Sequence, residues 1–325
     1  MLNSQNILSS LLNDLKLNQL NKLSSLVGAL KSGGAGPNTK LQKCIHINSY
    51  LLQLNHIINN NSNSNNNSNI HILSIDTGII NFAWSHLNLN LNNGDITLLN
   101  WSKLNLLQKF DRLDTNTFNP QNMSHLTSNL TEYILATHPN VALYTIERQR
   151  LRTNSSKFIT EPILNVNIFE HLLFHSLTNA NKFVMSSDPA RITKFWLANQ
   201  LNYSTKDSKR LRIEIVNKLV NSQTGFQLNK SLNERFFSVG LATSKRDKKL
   251  FDKLQLNEVQ NGKRKDDDLA DSLLHGLSWS FWLRNCQDLN NEMMKDGENL
   301  KLNEWVEYNW NKHINFLDSI GMNKV

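Results

Sequence analysis

Five acidic residues stand where carboxylates can do chemistry together. Asp76 ends the apolar run IHILSID and precedes Thr77-Gly78. Its carboxylate would emerge at a sheet edge where the backbone turns, a place that suits a metal ligand and equally an Asx turn. Glu147 closes a second apolar run in LYTIERQRLR and is followed by Arg148, Arg150 and Arg152, so a salt-bridged glutamate is the simpler role for it. In KRKDDDLADSLLHG, Asp268 and Asp271 are three residues apart on a predicted helix and share a face, with roughly 5–6 Å between their Cβ atoms. Like charges so placed cost stability unless solvent or a cation compensates, and Leu269, Leu273, Leu274 and Leu277 require the helix to be largely packed. Three acid sites on separate elements, two at strand ends and one on a late helix, would converge on one pocket. Oxygen donors with no histidine or thiolate partner suit hard cations such as Mg²⁺ or Mn²⁺. Two such ions roughly 3.5–4 Å apart activate a water and stabilise the leaving oxygen of a phosphodiester displacement.

The elements that must position these acids follow from period and turn chemistry. Ile70 to Gly78, Phe82 to Leu89 and Ile96 to Leu104 read as strands, and the turn signal Asn92-Asn93-Gly94 makes them an antiparallel meander. A helix from about Ser124 to Thr137 precedes a strand at Val141 to Glu147; Asn165 to Asn179 reads as a helix and Lys182 to Ser186 as a strand. Asp188-Pro189 then caps and starts another helix. The order is that of an α/β fold with a mixed central sheet flanked by helices. Lys206 to Val220 is a basic amphipathic helix, and Asp266 to Trp282 a helix opening on three acids, as a helix N-terminus prefers. Phe195, Trp196, Trp279 and Trp282 fall at helical spacings and read as core. Trp305, Trp310 and Phe316 indicate that helices after Asn285 pack on the main domain.

Upstream, apolar residues from Leu12 to Leu30 recur helically, the glycine-rich segment Ser32 to Pro37 follows, and a second short helix runs from about Thr39 to Leu52. This small helical hairpin, residues 1–54, carries Lys16, Lys22, Lys31, Lys40 and Lys43 against Asp14 and is basic. Asn55 to Asn69 is an Asn/Ser-rich low-complexity tract that reads as a linker, since it offers little apolar area to offset chain entropy. Residues 70–325 then form the larger domain.

A length of 325 residues fits about two domains, and a net charge of +8 favours polyanionic partners. Cys44 and Cys286 are too few for a disulfide framework or a cysteine zinc site, so a reducing compartment is expected. No run of about 18 apolar residues marks a membrane span, and the N-terminus lacks a secretory pattern. Before Asp14 it is rich in Ser, Leu and Lys without arginine, a weak form of a mitochondrial address.

The motifs SIDTGIINFAW from Ser74, TIERQRLRT from Thr145 and KDDDLADSLLHGLSW from Lys265, in that order, resemble those of the fungal mitochondrial cruciform-cutting endonucleases. These are Holliday-junction resolvases of the RNase H-like superfamily, related to bacterial RuvC. The likeness covers about Ile70 to Leu283. The N-terminal hairpin resembles a SAP-type DNA-binding module.

The resemblance implies an RNase H-like nuclease that cuts four-way DNA junctions by paired symmetric nicks, as a homodimer, in mitochondrial DNA recombination. Asp76, Glu147, Asp268 and Asp271 would hold two Mg²⁺ ions, with Mn²⁺ able to substitute. Asp267, four residues before Asp271, also shares its face and stays open as a ligand. His275, four residues beyond Asp271, would orient a carboxylate or touch the scissile phosphate, although a packed core histidine is the plainer role. Arg148, Gln149, Arg150 and Arg152 lie within reach of the backbone around the cut. Lys206, Lys209, Arg210 and Arg212, with Lys245, Arg246, Lys248 and Lys249, would neutralise phosphates along the arms, or form solvated helix faces. The rival readings are an RNase H-like phosphodiesterase acting on RNA–DNA hybrid or RNA, and a non-catalytic junction-binding packaging protein.

Overall fold

Strand alternation writes the sheet at the centre of the computed structural model, which describes residues 2–30, 39–65, 68–110, 119–149, 160–198, 205–238 and 249–321. β1 (Asn69–Thr77), β2 (Phe82–Asn90) and β3 (Ile96–Leu104) form the expected antiparallel meander. β4 (Leu143–Glu147) adds parallel to β1, β5 (Val184–Ser187) parallel to β4, and β6 (Gln227–Leu228), which the sequence pattern does not reveal, parallel to β3. The six-stranded order is β5-β4-β1-β2-β3-β6. Side chains alternate between two cores. Leu73, Ile75, Phe82, Trp84, Tyr144 and Ile146 point to one, and Ile70, Ile72, Leu87, Leu89, Leu98 and Leu143 to the other.

The first core is roofed by α5 (Pro120–Thr137) and α6 (Glu161–Asn179), whose Met123, Leu126, Leu130, Phe169 and Leu173 are buried in it. Both start four residues earlier than the apolar period suggests. Pro120 and Pro162 sit in their first turns, where a missing N–H costs nothing, and the Asn119 side chain accepts from Asn122 N–H at 2.8 Å. α7 (Pro189–Trp196) begins as expected, with Asp188 Oδ1 accepting from Ala190 N–H at 2.8 Å.

The other face carries α12 (Asp267–Asp296), a 30-residue helix that crosses β1 to β4 and is buried almost all round between Leu269 and Leu289. It runs well past Asn285, and α13 (Leu302–Ser319) follows it and packs on α2 (Leu17–Leu26). α8 (Thr205–Ser222) lies against α12, and α9 (Lys230–Ser238) against β3 and β6. Single turns α4 (Leu106–Lys109), α10 (Leu250–Lys253) and α11 (Glu258–Asn261) fill the edge near β3. Among the described residues no helix is long and apolar enough to cross a membrane.

The N-terminal part departs from the expected hairpin and linker. Its described residues form three helices, α1 (Leu2–Asp14), α2 (Leu17–Leu26) and α3 (Lys40–Asn65), with a break where Lys16 is extended and its N–H bonds Gln19 Oε1 at 2.9 Å. The Asn-rich tract is not an open linker up to Asn65, because α3 continues through it. Leu51, Leu54, Ile57 and Ile58 keep the helical period into the tract and are buried in the same core as Ile70 and Trp282. Asn55 Oδ1 accepts from Asn290 Nδ2 at 2.6 Å and from Cys286 Sγ at 3.1 Å, tying α3 to α12. Burial of four aliphatic residues, each worth about 1.5–3 kcal/mol, outweighs the low propensity of the asparagines.

Candidate active site

Strand register alone assembles most of the site. Asp76 pairs with Ala83, and Ala83 with Lys103; Ile75 pairs with Ile146, which sets Asp76 beside Glu147; Glu147 pairs with Ser187. Lys103, Ala83, Asp76, Glu147 and Ser187 therefore form one row across five strands on the face beneath α12, because partners directly opposite share a face. The first turns of α12 supply Asp267, Asp268 and Asp271 above that row.

The acids do not all converge. One carboxylate oxygen each from Asp76, Glu147 and Asp271 lie within 4.8 Å of one another. Asp268 is instead turned to Lys103, whose Nζ donates to Asp268 Oδ2 at 3.0 Å and to the Lys265 carbonyl at 3.1 Å. Asp267 pairs with Lys209, and Asp271 Oδ1 with Arg212 Nη1 at 2.6 Å.

Burial dominates the electrostatics. It pushes Asp76 well above the carboxylate range, and the neighbouring charges of Glu147, Asp268 and Asp271 add to the effect. Burial, reinforced by Asp271 and opposed by Arg212, moves Glu147 up to about 8. Asp271 rises to about 6 through burial, against the pull of Arg212. Burial raises Asp268 too, although Lys103 opposes it. For Asp267, burial is outweighed by the hydrogen bond and charge of Lys209, which hold it low. Glu147 Oε2 is buried with no hydrogen-bond partner among the described residues. Three desolvated carboxylates with an unsatisfied oxygen fit a hard divalent cation, which would satisfy the oxygen and offset the mutual repulsion. Asp76, Glu147 and Asp271 are the residues placed to hold it.

His275 is on α12 above Glu147, with Nε2 at 3.8 Å from Glu147 Oε2 and Nδ1 at 2.8 Å from Ser187 Oγ. Burial lowers its pKa to about 3. Arg148 turns away to Asp188, with Nη2 at 2.8 Å from Oδ2, and Gln149 N–H bonds Glu170 Oε2 at 2.8 Å. Both line a cavity of about 530 Å³ against α6, with Phe174, His171 and His175. Lys209 is 55% exposed beside Asp267, and Arg210 is exposed on the same helix. Arg150, Arg152, Lys245, Arg246, Lys248 and the side chain of Lys206 lie outside the described residues.

Sequence reasoning misses Lys103, Ser187 and the role of Trp279, whose Nε1 donates to Ser187 Oγ at 3.0 Å, and reads Arg212 only as a phosphate contact. For Lys103 a signal exists: it keeps the inward phase of Trp101 in NWSKL, where a lysine is out of place. Ser187 has none, because its place depends on the register of β5 with β4.

Against known proteins, residues 72–289 match the family model described as mitochondrial resolvase Ydc2 / RNA splicing MRS1. The mitochondrial cruciform cutting endonuclease 1 of Saccharomyces cerevisiae is 35% identical over 314 residues, 87% of this chain and 86% of that one. Its namesake in Schizosaccharomyces pombe is 28% identical over 228 residues, 65% of this chain and 78% of that one. The crystal structure of the yeast mitochondrial Holliday junction resolvase Ydc2 superposes with a TM-score of 0.54 at 21% identity, covering 86% of this chain and 99% of that one. It shares the fold, a helix-flanked mixed sheet of the RNase H-like kind. With the matched span containing every acid of the site, the chain belongs to the mitochondrial resolvase Ydc2 / RNA splicing MRS1 family.

Proposed function

We propose that this protein is a Mg²⁺-dependent endonuclease that resolves four-way DNA junctions by paired nicks, acting in mitochondria as a homodimer whose two sites match the junction's two-fold symmetry. The observation that carries the reading is the buried convergence of Asp76, Glu147 and Asp271 in a chain so similar to a cruciform cutting endonuclease. A packaging or splicing factor that only bound nucleic acid would gain affinity by losing carboxylates that repel phosphate.

In this reading Asp76, Glu147 and Asp271 hold the divalent ion. A divalent ion held there would supply Lewis-acid activation of water and charge neutralisation at the phosphate. The chain's residues do the rest. The sheet row fixes Asp76 and Glu147 at strand ends, and α12 delivers Asp271 from above, so the ligands are held on rigid elements. Arg212 on α8 holds Asp271 in orientation from the outside. Lys209 and Arg210 on the exposed side of α8, together with Arg150, Arg152, Lys206, Lys245 and Arg246, are the proposed contacts to DNA phosphates. Arg148 and Gln149, bonded to Asp188 and Glu170, act by shaping the wall beside the cut. The N-terminal helices are proposed to bind DNA as a SAP-like module.

The test uses a labelled four-way junction, a matched linear duplex and an RNA–DNA hybrid, each with Mg²⁺ or EDTA. Symmetric nicks confined to the junction, abolished by EDTA and by D76N while junction binding persists, are expected. Retained cutting by D76N would refute the metal-site assignment, and cutting of the hybrid alone would replace the substrate.

A further inference from the structure

Lys103 is fully buried, a rare condition for a lysine, and its ammonium enters the site from the sheet row itself. Its two hydrogen bonds go to Asp268 Oδ2 and to the Lys265 carbonyl just before α12, and it lies 5.6 Å from the centre of the Phe251 ring. Ala83 is all that separates it from Asp76 in the row, and a methyl group leaves the space between them to charge rather than bulk. The three-carboxylate pocket forms without Asp268, which Lys103 engages instead. A second divalent ion at Asp268 would have to sit against an ammonium that is itself fully buried.

We propose that Lys103 supplies the second positive charge of this site: its ammonium neutralises Asp268 where a two-ion nuclease would place a second dication, and a single divalent ion in the Asp76–Glu147–Asp271 pocket completes the set. The assignment rests on the nuclease reading above and gives one ion where the family resemblance implies two. Lys103 is thus a positioning and charge-balancing residue. A merely structural salt bridge would affect melting temperature but not ion stoichiometry.

Mn²⁺ bound to the full chain is counted by electron paramagnetic resonance and by calorimetry, taking D76N as the baseline that lacks the pocket. Wild type is expected to bind one ion more than D76N, D268N to match wild type, and K103M, with Asp268 released, to bind two more than D76N. Wild type exceeding D76N by two ions, or D268N losing an ion, would overturn the proposal. Should K103M fail to fold, K103M/D268N removes the charge pair together, and it is expected to fold and bind one ion; two ions in that variant would also overturn it. Junction cutting assayed on the same samples separates the two ideas. Two ions with cutting defeats the Lys103 assignment alone, whereas one ion without cutting defeats the nuclease reading and leaves the ion count standing.

Discussion

The Ser187 hydroxyl lies 2.8 Å from His275 Nδ1, joining the end of β5 to the first third of α12. The same oxygen accepts from Trp279 Nε1 at 3.0 Å, and an indole can only donate. With the Ser187 hydroxyl donating to His275 Nδ1, the imidazole proton sits on Nε2, facing Glu147 Oε2 at 3.8 Å. The other tautomer would set a nitrogen lone pair against a carboxylate. At 3.8 Å the pair is beyond hydrogen-bond length, but both atoms are buried without other partners among the described residues, and a small shift of Glu147 closes the gap.

Glutamine reproduces the Nε2 donor of histidine and asparagine the Nδ1 position, so the two substitutions separate the roles. H275Q is expected to cut junctions within a few-fold of wild type, whereas H275N should lose about 10–100-fold, the range seen when a carboxylate ligand loses its orienting partner. Equal losses in both variants, measured as kcat across a Mg²⁺ titration, would reject the orienting role and leave His275 as packing.

Gly276 sets how closely α12 approaches the sheet. In a helix interior alanine is better than glycine by about 1 kcal/mol, so propensity alone expects G276A to stabilise. A Cβ there would stand 2.4 Å from Leu87 Cδ1, 2.8 Å from Ser85 Oγ and 3.1 Å from Ser74 Cβ. Leu87 can yield, but the two serines are fixed on central strands, and Ser85 Oγ also donates to the Ser272 carbonyl at 2.8 Å. Crowding wins. G276A should destabilise by about 1–3 kcal/mol and weaken Mg²⁺ binding by lifting Asp271 from the row. A denaturation midpoint above wild type would show that the helix has room to move.

Much of this arrangement is legible in the chain because it is local. The meander, the strand ending at Glu147, the Asp188-Pro189 start and the acids of the third motif follow from period-two runs, turn residues and caps. What is not legible depends on contacts distant in sequence. Lys103 reaches Asp268, Arg212 reaches Asp271, and Ser187 reaches His275, each across more than fifty residues, and nothing local specifies them. The acid pattern is readable, but the division into three converging carboxylates and two turned away to lysines is not. The Asn55 to Asn65 stretch is illegible for the opposite reason: its composition favours disorder, while the few aliphatics that decide its fate are buried by helices that lie far along the chain.

A histidine cluster away from the acids gives the protein an acid-side limit. His71 Nδ1 and His86 Nε2 are 3.2 Å apart, and the His138 ring stands edge-on to His86 with centroids 5.0 Å apart. Burial lowers all three, His86 to about 3 with the charges of its neighbours adding, and His138 to about 4. Since the unfolded chain binds these protons near pH 6.5 and the folded one does not, their contribution to stability is complete above that pH and is lost as pH falls toward 3. H86L should flatten the decline, so that wild type loses about 2–4 kcal/mol more than the variant between pH 7 and pH 4. Parallel urea-unfolding curves for the two proteins at both pH values would contradict this.

The Asn-rich end of α3 provides a test of packing against composition. Ile57 and Ile58 are buried there, while Asn59 and Asn60 on the next positions are exposed. I57A should cost about 2–5 kcal/mol, as for a core isoleucine, and N59A and N60A should stay within about 0.5 kcal/mol. N55A removes the acceptor shared by Asn290 and Cys286 and should cost about 1–3 kcal/mol, because Asn290 Nδ2 then loses its partner in a partly buried position. A linker would make all four substitutions neutral. Urea denaturation of the four variants decides between the two, and a neutral I57A would return the tract to the role its composition suggests.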